Sequence, residues 1–166
     1  MGRPKAKPDW WISALSAEEC GEYEGALEML TAHKGDTLQG QRRDYWFDIA
    51  RIEARLKLHL EAVESVRKSL AEGYNPYAAY LGAFAALRGR FFIDAEEFST
   101  QVIDSDHEKH LESALIIRAI ARLQRRDWAG ACADARRYSG PGLWFVGRMV
   151  GSQDVLNSAE LRQSIL

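Results

Sequence analysis

The chain has 166 residues, 46% of them hydrophobic and 28% charged, with a formal net charge of −2. That length supports one domain with a real core and is too short for two large ones. The balanced charge removes bulk electrostatics as a ground for nucleic-acid binding or for a basic membrane-binding surface.

The N-terminal stretch Met1-Gly2-Arg3-Pro4-Lys5-Ala6-Lys7-Pro8 is basic and runs into Asp9-Trp10-Trp11 rather than a signal-peptide apolar core. Residues 1–8 are therefore expected to form a flexible, solvated arm. Gly2 stands at an acylation position, yet Ala6 occupies the place that needs Ser or Thr. Cys20 and Cys132 have no CxxC partner, which is the usage of reduced thiols in a cytoplasmic protein. No apolar run approaches the roughly 18 residues that would span a bilayer, so no membrane association is expected.

Ala, Leu, Glu and Arg dominate the middle of the chain, and period-two runs of β-branched residues are absent, which favours helix. Ser16-Ala17-Glu18-Glu19 fits a capping box, predicting a helix over about 17–33 that ends before Gly35-Asp36. Alternatively, a first helix over about 9–19 breaks at Gly21. Further helices are predicted at about 40–56, 58–72 and 76–88, the last opening on Pro76 after Asn75. Three more follow at about 92–104, 107–124 and 127–138, before the stop at Ser139-Gly140-Pro141-Gly142. Segments 143–150 and 158–165 read as two short helices closing the stack. Short connections force neighbouring helices antiparallel.

Four stretches repeat one pattern: Gly21-Glu22-Tyr23…Ala26, Lys57…His59…Ala62, Arg90-Phe91-Phe92…Ala95 and Arg126-Asp127-Trp128…Ala131. A polar or glycine position precedes a ring, and an alanine follows three residues after it; the alanines are spaced by 36, 33 and 36 residues. Twelve positions before each stands another alanine, Ala14, Ala50, Ala83 and Ala119. Four positions earlier again come Trp10, Trp46, Ala79 and Leu115, large in three cases of four. A recurrence near this period marks stacked helical hairpins.

The pattern resembles the tetratricopeptide repeat, a helix-turn-helix unit of about 34 residues. The resemblance covers roughly residues 9–138, with Leu81-Gly82 matching the family's Leu-Gly step if one residue is inserted before Ala95. It implies an all-α antiparallel hairpin array, a right-handed superhelix of about seven to nine helices. The expected organisation is an arm at 1–8, the repeat domain at 9–138 and a C-terminal cap at 139–166. In the family the first helix of each pair lines a concave groove that holds a partner's peptide. Carried over, the groove residues are Phe47, Arg51 and Arg55, then Tyr80 and Phe84, then Ile116 and Ile120. The family's carboxylate clamp for chaperone tails needs groove asparagines, and this chain has only Asn75 and Asn157, both near helix boundaries.

Chemistry-bearing clusters are sparse. His107-Glu108-Lys109-His110, flanked by Asp104 and Asp106, is metal-like in composition, but H-E-x-x-H needs one residue more. Acids there suit a helix start, so no metal is expected. No phosphate loop, G-x-S-x-G elbow or cysteine nucleophile is visible, and neither an enzyme nor a cofactor is expected. Arg118, Arg122 and Arg125 share one helix face, which suits a phosphate backbone. The preceding acidic block, seven acids against Lys109 between Asp94 and Glu112, can neutralise that stripe internally and argues against nucleic acid. The helix over 111–123 is apolar around most of its circumference, so it is either sandwiched or exposes a strip for a partner.

The function expected is a non-enzymatic, cytoplasmic protein–protein scaffold, an adaptor or small chaperone holding a helical or extended segment. The alternative class is a self-associating subunit that dimerises through the C-terminal Leu143-Trp144-Phe145-Val146. A nucleic-acid-binding or metal-dependent protein ranks below both.

Overall fold

The computed structural model describes residues 6–105 and 107–163. Their fold is all-α, with nine α-helices and one small hairpin among the described residues. The helices are α1 (Asp9–Glu19), α2 (Tyr23–Ala32), α3 (Arg42–Arg55), α4 (His59–Ala71), α5 (Pro76–Gly89), α6 (Phe92–Asp104), α7 (Glu108–Gln124), α8 (Trp128–Arg137) and α9 (Ser152–Gln163). The hairpin strands are β1 (Leu143–Phe145) and β2 (Arg148–Val150). The chain divides into two compact units, 1–81 and 82–166, a boundary that falls inside α5.

The turns explain the sequence recurrence. Gly21, Lys57, Arg90 and Arg126 all adopt left-handed backbone, at φ 85°, 63°, 64° and 67°. In each turn that residue donates its N–H to the carbonyl three residues back, and the next residue donates to the carbonyl five back. The pairs are Gly21 to Glu18 and Glu22 to Ala17, Lys57 to Ala54 and Leu58 to Glu53, Arg90 to Leu87 and Phe91 to Ala86, and Arg126 to Leu123 and Asp127 to Arg122. This is the Schellman closure of a helix, which satisfies its orphan carbonyls. The following helix starts at once, because Ala26, Ala62, Ala95 and Ala131 donate back to Glu22, Leu58, Phe91 and Asp127. All eight alanines of the pattern are fully buried.

Gly21 decides between the two N-terminal readings. Its left-handed backbone ends α1 at Glu19, and Ser16 lies inside that helix rather than capping a later one. Tertiary packing outweighs the local capping motif, since Trp11, Ala14 and Ala17 form the buried face of α1.

In the first unit α1 packs on α2, α2 on α3 and α3 on α4. Its core joins Trp11, Ala26, Leu30, Tyr45, Ile49 and Ile52. Burying an aliphatic or aromatic side chain of this size contributes about 1.5–3 kcal/mol each. Its polar atoms are satisfied too: Trp11 Nε1 donates to Asp48 at 2.9 Å and Tyr45 Oη donates to the Leu30 carbonyl at 2.9 Å. Burial, with Glu53 nearby, pushes the Tyr45 hydroxyl up to about 12. The end of the expected basic arm is tied down, with Lys7 Nζ 2.6 Å from Asp48 and the Ala6 carbonyl accepting from Gln41. The rest of the arm, 1–5, lies outside the described residues.

In the second unit α7 is the central element, touching α6, α8, α9 and β1. Every residue from Ala114 to Ala121 is buried, so the apolar helix is enclosed rather than exposing a strip.

Segment 143–150 corrects the expected short helix. It is an antiparallel hairpin pairing Leu143 with Val150, Trp144 with Met149 and Phe145 with Arg148. Val146 and Gly147 both have positive φ, 48° and 78°, the two-residue I′ geometry whose twist matches paired strands. Alternation then puts Phe145 and Val150 inward and leaves Trp144 and Met149 outward. The second expected cap helix, 158–165, begins earlier, as α9 from Ser152, and its residues 164 and 165 lie outside the described residues.

Candidate functional site

The groove residues named from sequence separate by accessibility. Phe47, Arg51, Tyr80 and Phe84 are half-buried and Arg55 is exposed, while Ile116 and Ile120 are only 1% exposed. The last two therefore pack inside the second unit instead of facing solvent. Phe84 carries the Arg88 guanidinium over its ring, 5.0 Å from the centroid.

In the first unit, Arg51 and Arg55 meet Glu18, Glu19 and Tyr23 around a polar recess of about 320 Å³. Arg51 is committed there: Nε donates to Glu18 Oε1 at 2.8 Å, its other nitrogen holds the second Glu18 oxygen, and Asp48 lies 3.4 Å away. Arg55, one turn on, is the exposed cation of this recess.

The arginine stripe of α7 is spent internally. Arg118 forks onto Asp134, and Arg122 bridges Asp134 and Glu96 at 2.9 Å each. Arg125 closes on the second oxygen of Glu96. Burial works against the Arg122 charge, but Glu96, Asp134 and Asp127 outweigh it and raise its pKa. Guanidiniums held this way are directed at carboxylates of the same unit, not at an external phosphate.

His107 and His110 stack nearly parallel, with ring centroids 5.2 Å apart. Burial, then His107 and Lys109, holds the His110 imidazole below its ordinary pKa. Asp106 lies outside the described residues, and among those described no group of three His, Cys, Asp or Glu side chains is placed to hold a metal. Asn75 is engaged as a helix cap, accepting from the Tyr77 N–H at 3.0 Å.

A second recess, of about 380 Å³, lies wholly within 82–166. Ile120, Phe145 and Val150 form its buried floor, Phe92 and Leu123 its half-buried walls. Arg90, Arg148 and Asp154 supply its charges. Of these, Ile120 was a groove candidate from sequence and Phe145 belonged to the segment expected to dimerise. The signal available was the hairpin itself: read as strands, 143–150 puts Phe145, Arg148 and Val150 on one face.

No described helix is long and apolar enough to cross a membrane. No protein-family model matches the chain. No curated protein matches it in sequence either.

Proposed function

We propose that the protein is a non-enzymatic, tetratricopeptide-like scaffold that binds a helical or extended segment of a protein partner through the first helices of its hairpins. The observation that supports this most is the fourfold turn: one hydrogen-bond pattern, one left-handed residue and one pair of buried alanines, repeated. Units of this kind bury one face by stacking and offer another to partners. The groove candidates that remain accessible are Phe47, Arg51 and Arg55 on α3, and Tyr80 and Phe84 on α5. Cytoplasmic location belongs to the same proposal. Affinity capture from the native source, comparing the wild type with Tyr80→Ala/Phe84→Ala, tests it. A protein enriched by the wild type and lost with the folded variant supports the assignment; undiminished enrichment removes those residues from it.

One observation favours a second reading, self-association. The cross-strand pair Trp144 and Met149 is 52% and 47% exposed, beside Val146 at 62%. An outward apolar face of that kind suits a contact between copies. Sedimentation at tens of micromolar distinguishes it: a wild-type dimer dissociated by Trp144→Ser favours this reading, and a wild-type monomer ends it.

A further inference from the structure

We propose that the recess in 82–166 is a binding site for a small organic monocarboxylate with an apolar tail. Its volume, about 380 Å³, falls within the range of small-ligand sites. The floor of Ile120, Phe145 and Val150 gives an apolar body a surface to bury against, while Gln124 and Ser158 also line the recess.

The charges specify the head group. Arg90 and Arg148 are exposed lining residues, and neither is in an ion pair among the described residues. That sets them apart from Arg118, Arg122 and Arg125 of the same unit, all held by Asp134 or Glu96. Asp154 is the acid of the recess, and its Oδ2 accepts the Gly151 N–H at 2.9 Å at the start of α9. Two guanidiniums against one carboxylate leave a single excess positive charge, which matches a monoanion better than a phosphate dianion. The hairpin tip fits the same purpose. Val146, one of the lining residues, holds a left-handed conformation that a β-branched residue disfavours.

The site is independent of the partner-binding proposal, and its test uses the full chain without a partner. Octanoate is titrated calorimetrically beside octan-1-ol, octylammonium and inorganic phosphate. Octanoate should saturate one site, with octan-1-ol about tenfold weaker or more because it lacks the charge-assisted bonds. Octylammonium and phosphate should not saturate. Arg90→Gln/Arg148→Gln, at exposed positions and checked for fold by circular dichroism, should bring octanoate to the octan-1-ol level. Ser158→Trp, which fills the recess from α9, should abolish binding of both. The proposal is overturned by an absence of saturable octanoate binding, by equal affinity for octan-1-ol, or by octanoate affinity unchanged in either variant.

Discussion

Arg118 holds Asp134 by two parallel hydrogen bonds, Nε to Oδ2 at 2.8 Å and Nη2 to Oδ1 at 2.7 Å, with both side chains buried. The pair fastens α7 to α8, and Thr100 of α6 accepts a third bond from the same guanidinium at 3.2 Å. A buried charge left without its partner is far more costly than the intact pair is stabilising.

Asp134→Ala should accordingly lower stability by about 3–5 kcal/mol, because it strands Arg118 and weakens the hold on Arg122. Arg125→Ala, whose side chain is 44% exposed, should cost about 0–1 kcal/mol. Urea midpoints of the two variants make the comparison, and similar losses would mean that burial does not set the strength of this network.

The four left-handed turn residues give a prediction of opposite signs. Lys57→Gly relieves a conformation that L side chains disfavour and should stabilise by about 0.5–1 kcal/mol, net of the added unfolded-chain entropy. Gly21→Ala should destabilise by about 1 kcal/mol; its Cβ would meet no atom within 4 Å, so the cost is conformational. Thermal unfolding measures both, and a stabilising Gly21→Ala would contradict the shared turn geometry.

Neighbouring positions on α4 test the alanine register. Ala62 is fully buried and Glu61 exposed. Ala62→Arg should cost several kcal/mol by overpacking and by burying a charge, roughly 3 or more. Glu61→Arg should stay within about 0.5 kcal/mol of the wild type. Chemical denaturation of the two variants separates these outcomes, and equal effects would place the α3–α4 contact elsewhere.

Glu53 gives the fold a pH dependence. Burial raises its carboxyl above the ordinary 4.5, with Glu61 and Glu64 of α4 adding to the effect and Ser65 and Lys68 opposing it. Because the folded state holds the proton more tightly, Glu53 favours folding fully below its ordinary value. That contribution is lost as pH rises from 4.5 through the raised folded value. Glu53→Gln should therefore be more stable than the wild type at pH 7, with the difference shrinking towards pH 4 and below. A difference constant across that range would show that Glu53 does not titrate differently on folding.

Much of the helix placement was legible because one turn pattern recurs along the chain. The predicted limits of α6, 92–104, coincide with those found, since Arg90 and Ser105 frame an apolar face of Phe98 and Val102. The arginine stripe was legible as a neutralised face, and Glu96 does come from the acidic block, although Asp134 of α8 does not. Two features were not legible. Segment 143–150 is too short and too apolar for periodicity to separate strand from helix, and its turn uses Val146 where Asn is usual. The recess in 82–166 draws residues from the turn after α5, from α6, α7 and α9, and from the hairpin, so no linear motif records it. Ile116 and Ile120 were carried to the groove by position alone, whereas the contacts of α7 on several sides enclose them.

The most direct test of the scaffold assignment is the dissociation constant of the captured partner, measured against two variants of equal fold. The account predicts at least about tenfold weaker binding with Phe47→Ala/Arg55→Ala, as for the loss of central contact residues. It predicts unchanged binding with Trp144→Ser/Met149→Ser on the outer hairpin face. The reverse pattern, binding lost with the hairpin variant and intact with the α3 variant, would contradict it.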